Sequence, residues 1–193
     1  MNIVGGLKVK LVESSEPMQI GTVTCAGVII SLDEGRSQEG YIEKYLIKEI
    51  GEIVKNHQEL SWVLMTAGIE FLGRCIDDSS TDINKWSTGY GERVFKSAIT
   101  NLFPSEYHQY NEKCSDYCLY KQLRCGFNHT TLPGSKMILS ERKLKQKHLS
   151  ISGSSLVLVA EDFYDDFKKA CEQVLDKLGK GEIQSKFHLI TVK

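Results

Sequence analysis

The spacing of apolar residues along the chain changes twice, and each change marks a different kind of secondary structure. Residues 1–39 alternate between apolar and polar positions, which predicts short strands. From residue 40, apolar residues recur every three to four positions, which predicts amphipathic helices. Alternation returns over about residues 136–160. We therefore expect an α+β fold, mainly α, with an amino-terminal β element (1–39) and a helical domain (40–193).

Five stretches carry the helical period. The second of them is apolar on most sides, which is typical of a helix at the centre of a bundle. The last has acidic residues in its first turns and ends at a glycine, as helix-end preferences favour. A polar loop is expected between the second and third helices, and a polar connection between the third and fourth. The first predicted helix starts at Tyr41 and has about four turns, and the next three are Glu59 to about Asp77, Glu92–Phe103 and Asp116 to about Phe127. The last contains the apolar stripe from Phe163 to Leu178 and ends at Gly179. The polar connection is Tyr107–Lys113.

The alternating stretch at 136–160 predicts three short strands and a β-hairpin before the last helix. These strands are Met137–Leu139, Leu149–Ile151 and Leu156–Val159. A basic run between the first two is predicted to be a hairpin tip, either a solvated turn or an arm that contacts RNA. Its cationic residues are Arg142, Lys143, Lys145 and Lys147. Lys186–Lys193 is predicted to be a final strand that can pair with the amino-terminal β element.

Composition and charge narrow the classes of partner. The hydrophobic fraction of 41% and the charged fraction of 25% are ordinary for a soluble globular protein. A formal net charge of -1 argues against a sequence-independent nucleic-acid binder, so any phosphate contact must be local. No apolar run approaches the roughly 20 residues of a membrane span, and the first residues lack the pattern of a signal peptide. We expect a cytoplasmic protein without a membrane partner.

No metal or other cofactor is expected. The six cysteines lack the two-residue gap of zinc and redox motifs. Cys114 and Cys118 lie one helical turn apart and could be joined by His108, but reduced thiols are the simpler interpretation. Aspartates at the start of the last helix (Asp162, Asp165 and Asp166) are explained by the helix dipole without a metal ion.

One short stretch, Arg124 to His129, combines residues that suggest chemistry. A guanidinium offers fixed donors to a phosphate, and an imidazole can take or give a proton near neutral pH. Positions five apart on a regular helix lie about 140° apart around its axis, so the two side chains would not face one point. Either Gly126 and Asn128 let the backbone leave the helix before His129, or two chains pack so that the arginine of one meets the histidine of the other.

A purely structural role is the alternative for this pair. An arginine and a histidine near a helix end can satisfy helix carbonyls or pair with a nearby carboxylate such as Asp116.

The residues Gln122–His129 resemble the signature of the HEPN superfamily (higher eukaryotes and prokaryotes nucleotide-binding), in which four to six residues lie between an Arg and a His. Ala67–Gly73 resembles the helix that precedes this motif. The resemblance implies a helical bundle, a homodimer with a composite site, and metal-independent ribonuclease activity in a toxin or antiphage role. It makes Arg124 and His129 the catalytic pair.

The residue after the arginine departs from the family pattern. Active members usually carry a polar residue where this chain has Cys125, and a thiol is a weak hydrogen-bonding substitute. Asn128 can fill the polar role, and Tyr120 lies inward on the same helix, so these three residues are the expected supporting residues.

Three functions therefore compete. The first is a dimeric, metal-independent ribonuclease. The second is a non-catalytic HEPN-like module that binds a nucleotide, RNA or a protein partner of the antitoxin type. The third is a structural oligomerisation domain that uses the apolar stripe of the last helix.

Overall fold

The protein is an α+β fold that is mainly helical. The computed structural model describes residues 37–84, 87–112 and 115–186, together with four short strands nearer the amino terminus. These strands form two antiparallel pairs, β1 with β2 and β3 with β4. Their bounds are β1 Ile3–Val4, β2 Leu7–Lys8, β3 Thr22–Cys25 and β4 Val28–Ser31.

Six α-helices and two π-helical segments make up most of the remaining described residues. A continuous helical stretch contains α1 (Gln38–Tyr41), the first π-helical segment (Ile42–Glu49) and α2 (Ile50–Asn56). The others are α3 (Gln58–Cys75), α4 (Tyr90–Leu102), a 3-10 helix (Ser105–Tyr110), the second π-helical segment (Tyr120–Cys125), α5 (Gly126–Thr130) and α6 (Ala160–Gly179).

Helix α3 lies at the centre, as its all-round apolar pattern predicts. It packs against α2, α4, α5, α6 and the second π-helical segment. Its closest approach is to α4, at Gly73, where an added Cβ would lie 1.9 Å from the carbonyl oxygen of Val94. A side chain larger than hydrogen would push the two helices apart, so this glycine sets their separation.

Both π-helical segments have a carbonyl group that is satisfied from outside the helix. The hydroxyl of Tyr164 on α6 donates to the Ile47 carbonyl oxygen at 2.6 Å. The backbone N–H of Gly134 donates to the Gln122 carbonyl oxygen at 2.7 Å. A π-helical turn is wider than an α-helical turn and interrupts the regular backbone pairing. Donors from outside the helix then satisfy the carbonyl oxygens that have lost their regular partner.

Two predictions near the candidate site were wrong. The stretch expected as a polar connection contains the 3-10 helix, because Tyr107 and Tyr110 bury their rings in the core. The fourth predicted helix continues through α5 to Thr130, so the backbone does not leave the helix before His129.

A three-stranded sheet lies before α6, in the order β5-β7-β6 (β5 Met137–Ser140, β6 Ser150–Ser152, β7 Ser155–Val159). Strands β6 and β7 form the expected antiparallel hairpin. However, β5 pairs with β7 in parallel, with Met137 opposite Leu156 and Ser140 opposite Val159. The basic run is therefore not a hairpin tip. It belongs to the crossover that a parallel pair requires, and it contains a 3-10 helix (Arg142–Leu144).

A chain of partly buried hydrogen bonds joins this sheet to the helices at His148. The N–H of Val159 donates to His148 Nδ1 at 2.9 Å, and Nε2 lies 2.8 Å from the Tyr107 hydroxyl. That hydroxyl donates to Asp166 Oδ2 at 3.0 Å. Because Nδ1 accepts, the ring is neutral with its proton on Nε2. Burial lowers the pKa of His148, and the negative charges of Asp162 and Asp166 oppose that effect only in part.

Most of the predicted final strand, residues 187–193, lies outside the described residues. Its first residue, Lys186, is described and buried. Among the residues that the structure describes, no helix combines the length and apolar composition needed to cross a membrane.

Acid should destabilise the fold through His148. The unfolded chain takes up a proton below the ordinary histidine pKa of about 6.5, whereas the folded chain resists it. Stability is thus complete above this pH and falls, by up to about 1.4 kcal/mol per pH unit, as pH drops through the lowered pKa. Urea unfolding near pH 7.5 and about pH 5.5 should show this loss in the wild type and a smaller loss in His148→Asn.

The exposed His57 provides the control, since His57→Asn should keep the wild-type pH dependence. An equal acid loss in the wild type and His148→Asn would contradict the interpretation.

Candidate functional site

A buried carboxylate on α3 binds two arginines. Glu70 Oε2 accepts a hydrogen bond from Arg124 Nε at 2.8 Å. The same oxygen lies 2.8 Å from Arg124 Nη2. The other carboxylate oxygen, Oε1, accepts from Arg74 Nη2, also at 2.8 Å. The three side chains are only 9 to 16% exposed. This is a buried ion triad rather than a surface pair, so the loss of one member would leave the others uncompensated.

Arg124 is also held from its own helix. Its guanidinium carbon lies 5.7 Å from the ring centroid of Tyr120, in a cation–π contact. The Tyr120 ring in turn meets Phe95 edge-on at 5.5 Å. Burial raises the pKa of Tyr120, while the charge of Arg124 opposes the rise. Arg124 is therefore fixed both by a carboxylate and by an aromatic face.

Arg124 and His129 of the same chain line one open cleft. Its volume is about 610 Å³, within the range of small-molecule sites. Arg124 lies near the end of the second π-helical segment and His129 lies in α5, so both side chains reach the cleft from one continuous helical stretch. The cleft is lined by Ser87, Thr88, Gly89, Gly91, Tyr120, Arg124 and His129.

The opposite wall of the cleft is the amino end of α4. Gly89 precedes the helix with φ at 76°, a left-handed conformation that favours glycine, and it has no side chain that could cap the first turn. An added Cβ at Gly91 would lie 3.2 Å from Glu70 Oε1, so a glycine lets α4 approach the ion triad. Uncapped N–H groups and the positive end of the helix dipole favour an anion here.

Asp77 fixes this wall to the end of α3. Its carboxylate accepts from the Tyr90 hydroxyl at 2.8 Å and from Arg93 at 2.9 and 3.0 Å. Burial alone would raise the pKa of Asp77, but hydrogen bonds from Arg93, Tyr90 and Ser79 outweigh it and hold the pKa well below its usual range. The ring centroid of Tyr90 lies 5.0 Å from the guanidinium carbons of both Arg74 and Arg93. Burial, together with the hydrogen bond to Asp77 and the charge of Asp77, raises the pKa of Tyr90 to about 12.

Tyr120, a predicted supporting residue, lines the cleft, whereas the remaining predicted site residues are not among those that line it. Asn128 is exposed, and Cys125 is a free, partly buried thiol. In the basic run, Arg142 is held by Asp162 and Asp165 at 2.6 Å, which fits the solvated turn better than a free RNA-contacting arm. Lys143 pairs with Glu141, and Lys145 and Lys147 are exposed.

Glu70 is the site residue that the sequence interpretation missed. The structural alternative for the Arg–His pair gave Asp116 as an example of a nearby carboxylate, whereas the carboxylate that binds Arg124 is Glu70, 54 residues before it. A signal was available, because Glu70 is the one acidic residue within the apolar stretch Ala67–Gly73. A lone carboxylate in a central helix calls for a buried cation.

Among the described residues, no group of three or more His, Cys, Asp or Glu side chains could hold a metal ion. Cys114, expected to be a reduced thiol rather than a metal ligand, lies outside those residues. The aspartates of α6 have other partners: Asp162 and Asp165 bind Arg142, and Asp166 binds Lys169 as well as the hydroxyl described above.

No protein-family model, curated protein or solved structure that was compared with the chain matches it. The HEPN resemblance therefore rests on the two short segments Ala67–Gly73 and Gln122–His129.

Removing the charge of Glu70 should be costly. Glu70→Gln keeps the side-chain size but leaves two buried arginines without a counterion, so we expect a loss of about 3 kcal/mol in the free energy of unfolding. Urea unfolding would measure it. Glu92→Gln is the matched control, because the Glu92–Lys96 pair on α4 is more exposed and should cost less than about 0.5 kcal/mol. Losses of similar size in both variants would show that the triad is not a buried ionic unit.

Proposed function

We propose that the cleft binds the phosphate backbone of RNA and that the protein is a metal-independent endoribonuclease of the HEPN type. The observation that carries this proposal is the placement of Arg124 and His129 on one cleft, opposite the uncapped amino end of α4. A fixed cation, a proton-transfer group and a helix amino terminus are three groups that phosphodiester cleavage uses.

The proposed reaction is an internal phosphoryl transfer. The imidazole of His129 removes the proton of a ribose 2′-hydroxyl, whose oxygen then attacks the adjacent phosphorus. Arg124 stabilises the extra negative charge on the phosphoryl oxygens in the transition state. The bond to the 5′-oxygen breaks, and that oxygen takes a proton from solvent. The products are a 2′,3′-cyclic phosphate and a 5′-hydroxyl, and DNA is not a substrate because it lacks the 2′-hydroxyl.

Local electrostatics supports an anionic ligand in a chain whose net charge is -1. The ion triad contains two arginines and one glutamate, so it carries a net positive charge beside the cleft. Arg124 Nη1 has no hydrogen-bond partner among the described residues, so it is the donor that remains for a phosphate oxygen. The hydroxyl groups of Ser87 and Thr88 add neutral donors at the same cleft.

Other parts of the proposal rest on the resemblance alone. They are the homodimer with a composite site, the toxin or antiphage role, and a protein partner of the antitoxin type. A site composed by two chains is compatible with a cleft that each chain also forms by itself.

A non-catalytic module that binds RNA, a nucleotide or a protein is the second candidate. Glu70 already occupies Nε and Nη2 of Arg124, which leaves a single guanidinium nitrogen for a ligand. Cys125, in place of a polar residue, favours the same interpretation.

Labelled RNA incubated in EDTA separates the two candidates. The wild type should cleave RNA but not DNA of the same sequence, and His129→Asn should cleave at least about 100-fold more slowly, as expected for loss of a general base. Arg124→Ala should be similarly impaired, whereas the control His57→Asn should cleave at the wild-type rate.

Binding measured on the same samples completes the experiment. RNA that is bound but left intact by the wild type would favour the second candidate, and an absence of RNA binding would reject both the ribonuclease and an RNA-binding module. Equal cleavage by His129→Asn and wild type would exclude His129 from the chemistry. Sedimentation that shows a monomer at micromolar concentration would contradict the composite site.

A further inference from the structure

The last described residue of the chain, Lys186, is a buried lysine at the carboxyl end of α3. It is 6% exposed. Its Nζ donates to the carbonyl oxygen of Arg74 at 2.9 Å and to that of Asp77. Its backbone N–H donates to the side-chain oxygen of the fully buried Gln38 on α1 at 2.7 Å. One residue thus joins the carboxy-terminal segment to two helices.

The end of α3 provides what a buried lysine needs. The final carbonyl groups of a helix have no partner within the helix, and the negative end of its dipole attracts a cation. An amine taken out of water is tolerated only when hydrogen bonds replace the lost solvation. Without the Lys186 amine, the carbonyl oxygens of Arg74 and Asp77 would each lose a hydrogen-bond donor.

The two residues whose carbonyls bind Lys186 also hold the two walls of the cleft. Arg74 pairs with Glu70, which binds Arg124 on one wall. The Asp77 carboxylate binds Tyr90, the first residue of α4, on the other wall. Both sets of contacts therefore depend on the position of the last turn of α3.

We propose that Lys186 is a positioning residue for the Arg124 cleft. By capping α3, it keeps Arg74 and Asp77 in place, and these keep Arg124 and the amino end of α4 at the spacing that a phosphate requires. The assignment of a ligand to the cleft rests on the proposed function. The coupling between Lys186 and Arg124 does not, since it can be measured without RNA.

The test compares Lys186→Met, which loses the donors, with Lys186→Arg, which keeps them. NMR of the 15N-labelled full chain would report exchange of the Arg124 Nε–H with water. In Lys186→Met this exchange should accelerate about tenfold or more, because local opening of the structure no longer has to break the hydrogen bonds of the Lys186 amine. Lys186→Arg should restore slower exchange. Lys180→Met, at the exposed carboxyl end of α6, should have no effect.

A destabilised but uncoupled variant controls for general loss of stability. Val174→Ala truncates a buried α6 side chain outside this network and should leave the exchange at Arg124 slow. Equal exchange in Lys186→Met and wild type, or equal acceleration in Val174→Ala, would overturn the proposal. If Lys186→Met does not fold, Lys186→Gln takes its place with the same expected acceleration, because its shorter side chain moves the donor away from the two carbonyl oxygens.

RNA affinity measured on the same variants keeps the two proposals distinct. Accelerated exchange with weakened RNA binding supports both. Accelerated exchange in a protein whose wild type does not bind RNA supports the role of Lys186 and rejects the proposed function.

Discussion

The candidate site depends on the buried carboxylate of Glu70. A charge inside a central helix is tolerated only with close partners, and here Arg74 comes from the next turn of α3 and Arg124 from the second π-helical segment. Two cations around one anion leave a positive excess, and the amino end of α4 adds to it. This arrangement explains how a chain with a net charge of -1 can present a local site for an anion. It also makes Arg124 a structural residue and a candidate functional residue at once.

Hydrophobic period predicted the helices well because each of them buries one side against the core. Helix α6 ends at Gly179 as expected, and α3 is central. The period could not predict the π-helical segments, because their wide turns depend on distant donors, namely Tyr164 and the backbone of Gly134. The spacing of apolar residues also could not give the order of the strands in the sheet. Alternation identifies a strand but does not name its neighbour, so β5 was assigned to a hairpin instead of to its parallel pairing with β7.

The candidate site could be predicted only in part, for a related reason. Local spacing drew attention to Arg124 and His129, and the structure places both on one cleft. The separation of about 140° between positions five apart on a helix predicted that the two side chains face different points, yet both reach one open cleft from a continuous helical stretch. Glu70, Asp77 and Lys186 come from parts of the chain far from the motif. Glu70 binds Arg124, Asp77 binds Tyr90, and Lys186 binds the end of α3. These contacts are set by how α3 packs, which no local pattern encodes.

The account requires that Arg124 and His129 meet the same phosphate. Titration of the 15N-labelled protein with uridine 3′-monophosphate, following the Arg124 Nε–H and the His129 ring signals, tests this most directly. Both signals should shift along one saturable curve with a single dissociation constant. Signals that move with different constants, or that do not move while the nucleotide binds elsewhere, would contradict the account.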